Sequence, residues 1–220
     1  MSAFLGPIHY WLYNKIKLQQ DIVDKLYLLG ESYGVSLREY CEETFGTFEN
    51  KPLEEMIDQG NIHGWLQERV SQVEYKYAYC ITTLLASHPE SLTEIQSIVS
   101  ANGKTFAQSM KDTLQNPSDV YKAISDLLLD GMPCDHANRL VANNENEVIW
   151  SRATCVHSTY WDEVNGDISI YYALRDYWIE GFVSELEATD QLRFAFDRPD
   201  EVSYRIRVIN KYHEREEVHS

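Results

Sequence analysis

Two Cys-x-His units, Cys134/His136 and Cys155/His157, fall in the stretch Asp130–Trp161, which reads DGMPCDHANRLVANNENEVIWSRATCVHSTYW. Thiolate and imidazole are the donor types of a zinc or iron site: four on one ion make a closed structural centre, and three leave the open position that metal catalysis needs. The same pairing suits nucleophilic catalysis, because an imidazole lowers a cysteine's pKa or takes its proton. Asp135 or Glu163 would then orient the imidazole. Structural zinc sites mostly use Cys-x2-4-Cys or His-x3-5-His spacing, which these two units do not follow, so spacing does not choose between the readings. The third reading is a bland one, with both cysteines as small buried hydrophobes and both histidines as ordinary hydrogen-bonded residues.

A second pair of imidazoles stands in the N-terminal half. His9 in GPIHYW and His63 in NIHGW each lie just inside a helix start, each close to a tryptophan. The positive end of a helix dipole favours the neutral imidazole that binds a metal or acts as a base. Two readings stand: both helices turn their rings toward one pocket as metal ligands or bases, or each ring is a partly buried cap or packing residue beside its own tryptophan, Trp11 or Trp65.

The elements that must hold these groups are legible from period and punctuation. Ala137–Ala142 and Glu147–Cys155 read as strands, and Asn143-Asn144-Glu145-Asn146 between them is turn chemistry, giving a β-hairpin. With the turn centred on Asn144/Glu145, Cys134 falls opposite Cys155, and His136 and His157 share their face. A slip of one residue would undo that convergence. Upstream, the spacing predicts helices over 7–29, 36–45, 53–59, 61–86, 91–114 and 118–129, the fifth interrupted at Asn102-Gly103. Ser36 with Glu39 is a capping-box pattern, and Asn61 is a cap for the long helix that follows. After the hairpin come a short helix over 158–164, an amphipathic one over 168–185, and strands over 192–196 and 202–209 joined by Asp197-Arg198-Pro199-Asp200. Tyr75, Tyr77 and Tyr79 cannot share one helical face and read as core and boundary residues.

This is an α+β pattern: a helical region over 1–130, then an α+β region over 131–212 in which a small antiparallel sheet, the hairpin plus two C-terminal strands, is flanked by helices. A tail follows over 213–220. The two regions are expected to pack as one unit.

At 220 residues and 44% hydrophobic content the chain can bury a core without disulfides or metals. Its longest apolar run falls far short of the roughly 20 residues that span a bilayer, and the N-terminus lacks a signal-peptide pattern, so the expectation is a cytoplasmic protein whose cysteines are thiols or metal ligands. A formal charge of −16 argues against nucleic acid and anionic membrane as partners. Eight of the ten arginines lie after residue 134 and eight of the nine lysines before it, which concentrates the better carboxylate binder in the C-terminal half. Those arginines serve either as outward partners of Asp and Glu or as an anion pocket. Abundant Trp and Tyr on helix surfaces suggest a homo-oligomer.

From about Leu84 to Val208, a little over half the chain, the order of elements resembles the L-2-amino-thiazoline-4-carboxylic acid hydrolase family. The motifs that carry the resemblance are Arg152-Ala-Thr-Cys155, Trp161-Asp-Glu163, Tyr172-Ala-Leu-Arg-Asp176 and Gly181-Phe182. Ala173 stands where the family has a second cysteine, no proline follows Cys155, and Cys134-Asp135-His136 is extra. The resemblance implies hydrolysis of a small cyclic or amide-like C–N or C–S bond, with Cys155, His157, Tyr160 and Glu163 as the catalytic set. In that scheme His157, or a divalent zinc or iron at Cys155 and His157, activates water. Tyr160 or His136 helps the leaving atom, and Arg152 or Arg175, with Trp161, holds the substrate carboxylate. Vinyl-reductase-type domains share the same outline, so the rival is a non-catalytic domain that binds a metal or small ligand and reports it to a partner.

Overall fold

The computed structural model describes residues 5–186, 189 and 191–210; the tail expected over 213–220, and the last residues of the region before it, lie outside the described residues. The described residues of Met1–Ile98, Asp126–His136 and Cys155–Tyr172 form one compact unit, and those of Val99–Ser125, Ala137–Thr154 and Ala173–Ser220 form another.

In the first unit, α1 (Pro7–Ser32) and α4 (Ile62–Ser87) are the long elements, with α2 (Leu37–Phe45) and α3 (Leu53–Met56) between them. Pro7 sits at the first turn, where its missing N–H costs nothing. Asn61 caps α4 as its sequence position predicts, its Oδ1 accepting from the Gly64 amide at 3.1 Å. Ser36 differs: its hydroxyl makes no cap bond and turns instead to the Glu39 carboxylate at 3.4 Å. α1 and α4 pack along stripes that include Leu12, Ile16, Val23 and Leu26 on one helix and Val70, Val73, Ile81 and Leu84 on the other, all closed to solvent. Each such side chain contributes roughly 1.5–3 kcal/mol by leaving water. Two positions on these stripes are polar. Gln19 of α1 donates through Nε2 to Oε1 of Glu74 on α4 at 3.1 Å, both side chains buried. The three tyrosines divide as expected: Tyr77 is buried, while Tyr75 and Tyr79 stack on Phe45 and Tyr40 of α2 with centroids 5.3 and 4.3 Å apart.

The second unit holds the four-stranded antiparallel sheet, in the order β1 (Asn138–Asn143), β2 (Glu147–Arg152), β4 (Ser203–Asn210), β3 (Leu192–Asp197). The hairpin forms where the asparagines place it: Asn144 Oδ1 accepts from the amides of Asn146 and Glu147 at 3.0 and 3.1 Å. Asp200 does the same for the second turn, accepting from Val202 and Ser203 at 2.9 and 2.8 Å. Within β1 the register moves by one residue between Leu140 and Ala142, a bulge at Val141. Parts of α5 (Leu92–Met110), α6 (Pro117–Leu127) and α8 (Ile168–Ser184) belong to this unit, so the helix-flanked sheet expected of the sequence is present. α5 runs unbroken through Asn102-Gly103. Asn102 Oδ1 accepts from the buried Trp178 indole at 2.8 Å, and Gly103 lets the α8 backbone approach. That contact joins the end of α5 to the sheet unit, and the division between units therefore does not fall at residue 130.

No described helix is long and apolar enough to cross a membrane. Trp150, Trp161 and Trp178 are core residues at 3% exposure or less, which shrinks the aromatic surface on which the expectation of an oligomer rests.

Candidate active site

β2 ends at Arg152, and the chain passes through Cys155 and His157 into the short helix α7 (Ser158–Glu163). Cys155 is half-buried, and its Sγ accepts from the Tyr172 hydroxyl of α8 at 3.0 Å. Burial alone would push this thiol up. The Tyr172 hydroxyl, the backbone at His157 and Ser158 and the Ser158 side chain all favour the anion, and together they hold the thiol below its ordinary range.

His157 is 2% exposed, with its ring stacked on Tyr171 at 4.0 Å. Its Nδ1 lies 3.0 Å from Oε2 of the buried Glu74, and its Nε2 lies 3.6 Å from Oδ1 of Asp130. Burial drives an imidazole toward the neutral form, yet the charges of Glu74 and Asp130 and their hydrogen bonds outweigh it and raise His157 to about 9. At neutral pH the ring is a cation with both nitrogens facing carboxylates. Gln19, Glu74 and His157 thus form one buried polar chain in the first unit, which the partly exposed Asp130 closes.

Several sequence expectations change. Both ring nitrogens of His157 face carboxylates rather than Cys155: its partner is Glu74, and Tyr172 supplies the hydrogen bond to the thiol. Cys134 and His136 lie outside the hairpin, in a 3-10 turn over Pro133–Asp135 and its cap, where His136 takes a left-handed φ of 49° and both side chains are exposed. β1 starts only at Asn138 and its bulge shifts the register, so Cys134, His136, Cys155 and His157 do not converge: among the described residues no group of three or more His, Cys, Asp or Glu side chains is disposed to hold a metal ion. Asp135 accepts from the Met132 amide at 2.8 Å. Tyr160 and Glu163 dock α7 on α4, Tyr160 through Ser71 at 3.1 Å and Glu163 through the Tyr75 hydroxyl at 2.5 Å. Trp161 is fully buried, a core residue closed to substrate. Arg152 and Arg175 belong to the second unit, where both favour the Asp176 carboxylate that Arg198 grips at 2.8 and 2.9 Å.

His9 and His63 do meet, with ring centroids 5.6 Å apart. His9 Nδ1 accepts from the Gly6 amide at 2.9 Å, which places its proton on Nε2 and leaves no lone pair there for a metal. This pair is a cap and a packing contact.

Sequence reading missed Glu74, Asp130 and the role of Tyr172. Glu74 had a signal: it sits beside Val73 on the buried stripe of α4, and Gln19 occupies the matching place on α1. Polar residues on the inner faces of two helices that pack together are expected to satisfy one another. Asp130, at the end of a helix, had no such mark.

No family model matches the chain, and no curated protein matches it. Among solved structures it is similar to an Fe(II) unliganded H-NOX protein variant from K. algicida, at 10% identity and a TM-score of 0.32, over 91% of this chain and 99% of that one. So low a score carries nothing about function.

Proposed function

We propose that the chain is a thiol-dependent hydrolase of a small cyclic or amide-like substrate, as the resemblance of residues 84–208 to the amino-thiazoline carboxylate hydrolases implies. The observation that supports it is the Tyr172 hydroxyl 3.0 Å from the Sγ of a thiol whose surroundings favour the thiolate. The thiolate attacks the electrophilic carbon and a C–S bond forms. The C–N bond then breaks with its electron pair going to nitrogen, which takes the Tyr172 proton. Water attacks the same carbon, the C–S bond breaks, the thiolate returns, and a proton of that water restores the tyrosine. His157 stays charged throughout and fixes the loop that carries Cys155.

The test is turnover of 2-amino-thiazoline-4-carboxylate together with the pH dependence of Cys155 alkylation by iodoacetamide, followed by peptide mass. Tyr172→Phe is expected to move the alkylation midpoint upward and to slow turnover about tenfold, the effect of losing one hydrogen bond to a charged group. Turnover that persists in Cys155→Ser rules the mechanism out.

A second reading has its own observation. A cavity of about 240 Å³ in the first unit is walled by Tyr13, Phe48, Trp65 and Met56 beside Arg69, and the Arg69 Nε is buried without an acceptor among the described residues. Saturable binding of a small planar ligand there, with no turnover of any cyclic amidine, favours the non-catalytic ligand-binding role.

A further inference from the structure

Lys76 stands on the inner face of α4 at 1% exposure, in the core between α1, α2 and α4. Its neighbours Cys41, Glu42, Asp24 and Cys80 act on it through space, with no hydrogen bond among those influences, and burial outweighs them to hold the amine below the ordinary lysine range. A buried lysine with no bonded counterion among the described residues is costly unless it has a use. The side chain also lines a cavity of about 260 Å³, partly open to solvent, with Gln20, Arg38, Glu42, Phe48 and Asn50.

The lining defines the guest. With Lys76 as a neutral amine the lining sets Lys17 and Arg38 against Asp21, Asp24 and Glu42, and Arg38 lies 3.8 Å from Glu42, so the cavity does not favour an anionic guest. Gln20 gives its Nε2 to Asp24 at 3.0 Å and keeps its buried Oε1 without a donor among the described residues. An unmet acceptor calls for a hydroxyl, and the amides of Gln20 and Asn50 suit a hydroxylated molecule. Desolvated lysines with unhindered amines form imines with carbonyl compounds.

We propose that this cavity binds a short hydroxyaldehyde, held by a reversible imine to Lys76 Nζ. The amine nitrogen attacks the aldehyde carbon and a C–N bond forms. The resulting carbinolamine loses the former carbonyl oxygen as water, which carries away both amine protons, and a C=N bond remains. Binding needs no oxidant and no metal. The site is separate from Cys155 and stands whether or not the thiol is catalytic.

The experiment treats the folded full-length chain with glycolaldehyde and sodium cyanoborohydride and follows reductive labelling by peptide mass against time. Lys76 is expected to take up the hydroxyethyl group several-fold faster than exposed Lys51 and Lys104, since an amine held below the ordinary lysine range presents more of the neutral form that attacks an aldehyde. Propanal, which lacks the hydroxyl, is expected to lose most of that preference. Lys76→Met, of similar length and suited to a core, should lose the fast adduct while circular dichroism is unchanged. Labelling of Lys76 at or below the rate of Lys104 in the native wild-type chain overturns the proposal without reliance on any variant. Equal preference for propanal overturns the hydroxyaldehyde assignment.

Discussion

Replacing Glu74 by glutamine is expected to cost about 3 kcal/mol of folding stability near pH 6 and almost nothing above pH 9. Burial alone would keep His157 neutral, but the Glu74 carboxylate at 3.0 Å, helped by Asp130 at 3.6 Å, raises it from 6.5 to about 9. A group whose pKa is raised in the folded state stabilises that state fully below its unfolded value and loses the contribution as pH climbs through the folded value. The window is therefore pH 6.5 to 9, and a shift of that size corresponds to roughly 3 kcal/mol. Glutamine keeps the shape and a carbonyl acceptor for Nδ1 but removes the counter-charge, so the ring deprotonates and the stability it supplied disappears. Above pH 9 the wild-type ring is neutral as well, and the wild type then buries an unpaired carboxylate that the variant lacks. Urea unfolding at pH 6 and pH 9.5 checks this. Equal stabilities at pH 6 would mean that His157 is not a buried cation.

Asp130→Asn tests the other end of the same chain. At 3.6 Å and with its side chain 17% exposed, Asp130 holds the ring more loosely than Glu74, which is 1% exposed. Coulomb attraction falls with distance and with access of water. The loss near pH 6 should be under half that of Glu74→Gln, on the order of 1 kcal/mol.

These two residues mark the limit of what was legible in the chain. Period and punctuation gave the hairpin, the long helices and the closing strands, because Asn144, Asn61 and Asp200 act through bonds to residues two or three positions away. What failed depends on one-residue geometry or on distant partners. The Val141 bulge and the left-handed His136 have no local signature, yet together they take Cys134 and His136 away from Cys155. Sequence spacing pairs Cys155 with its neighbouring histidine, whereas its sulfur is bonded by Tyr172, because the helical stretch that carries Tyr172 begins over ten residues downstream. The pairing of His157 with Glu74 spans 83 positions, and only the odd placement of a glutamate on an apolar stripe hinted at it. Asn102-Gly103 read as a helix break for the same reason: propensity is local, and the contact that overrides it is not.

That contact sets the second large effect. Gly103→Ala is expected to destabilise the sheet-bearing unit by about 2–3 kcal/mol, although helix propensity alone would make alanine in mid-helix better than glycine by about 1 kcal/mol. A methyl group at Gly103 would overlap the carbonyl oxygen of Trp178 and sit 3.1 Å from the Phe182 amide nitrogen. One at Gly181 would overlap the carbonyl oxygen of Ser100 and lie 2.7 Å from its hydroxyl oxygen. The obstructing atoms are mostly helix backbone, which cannot rotate aside as a side chain can, so α5 and α8 must separate. Separation strains the Trp178 Nε1 bond to Asn102 at 2.8 Å and opens the packing around Phe182 and Ile179, both closed to solvent. The double variant should lose less than the sum of the singles, because the first methyl already forces the helices apart and the second enters a gap made for it. Thermal unfolding of the two single variants and the double decides the matter. A higher Tm in Gly103→Ala would mean that the two backbones do not meet and that the glycine serves no packing role.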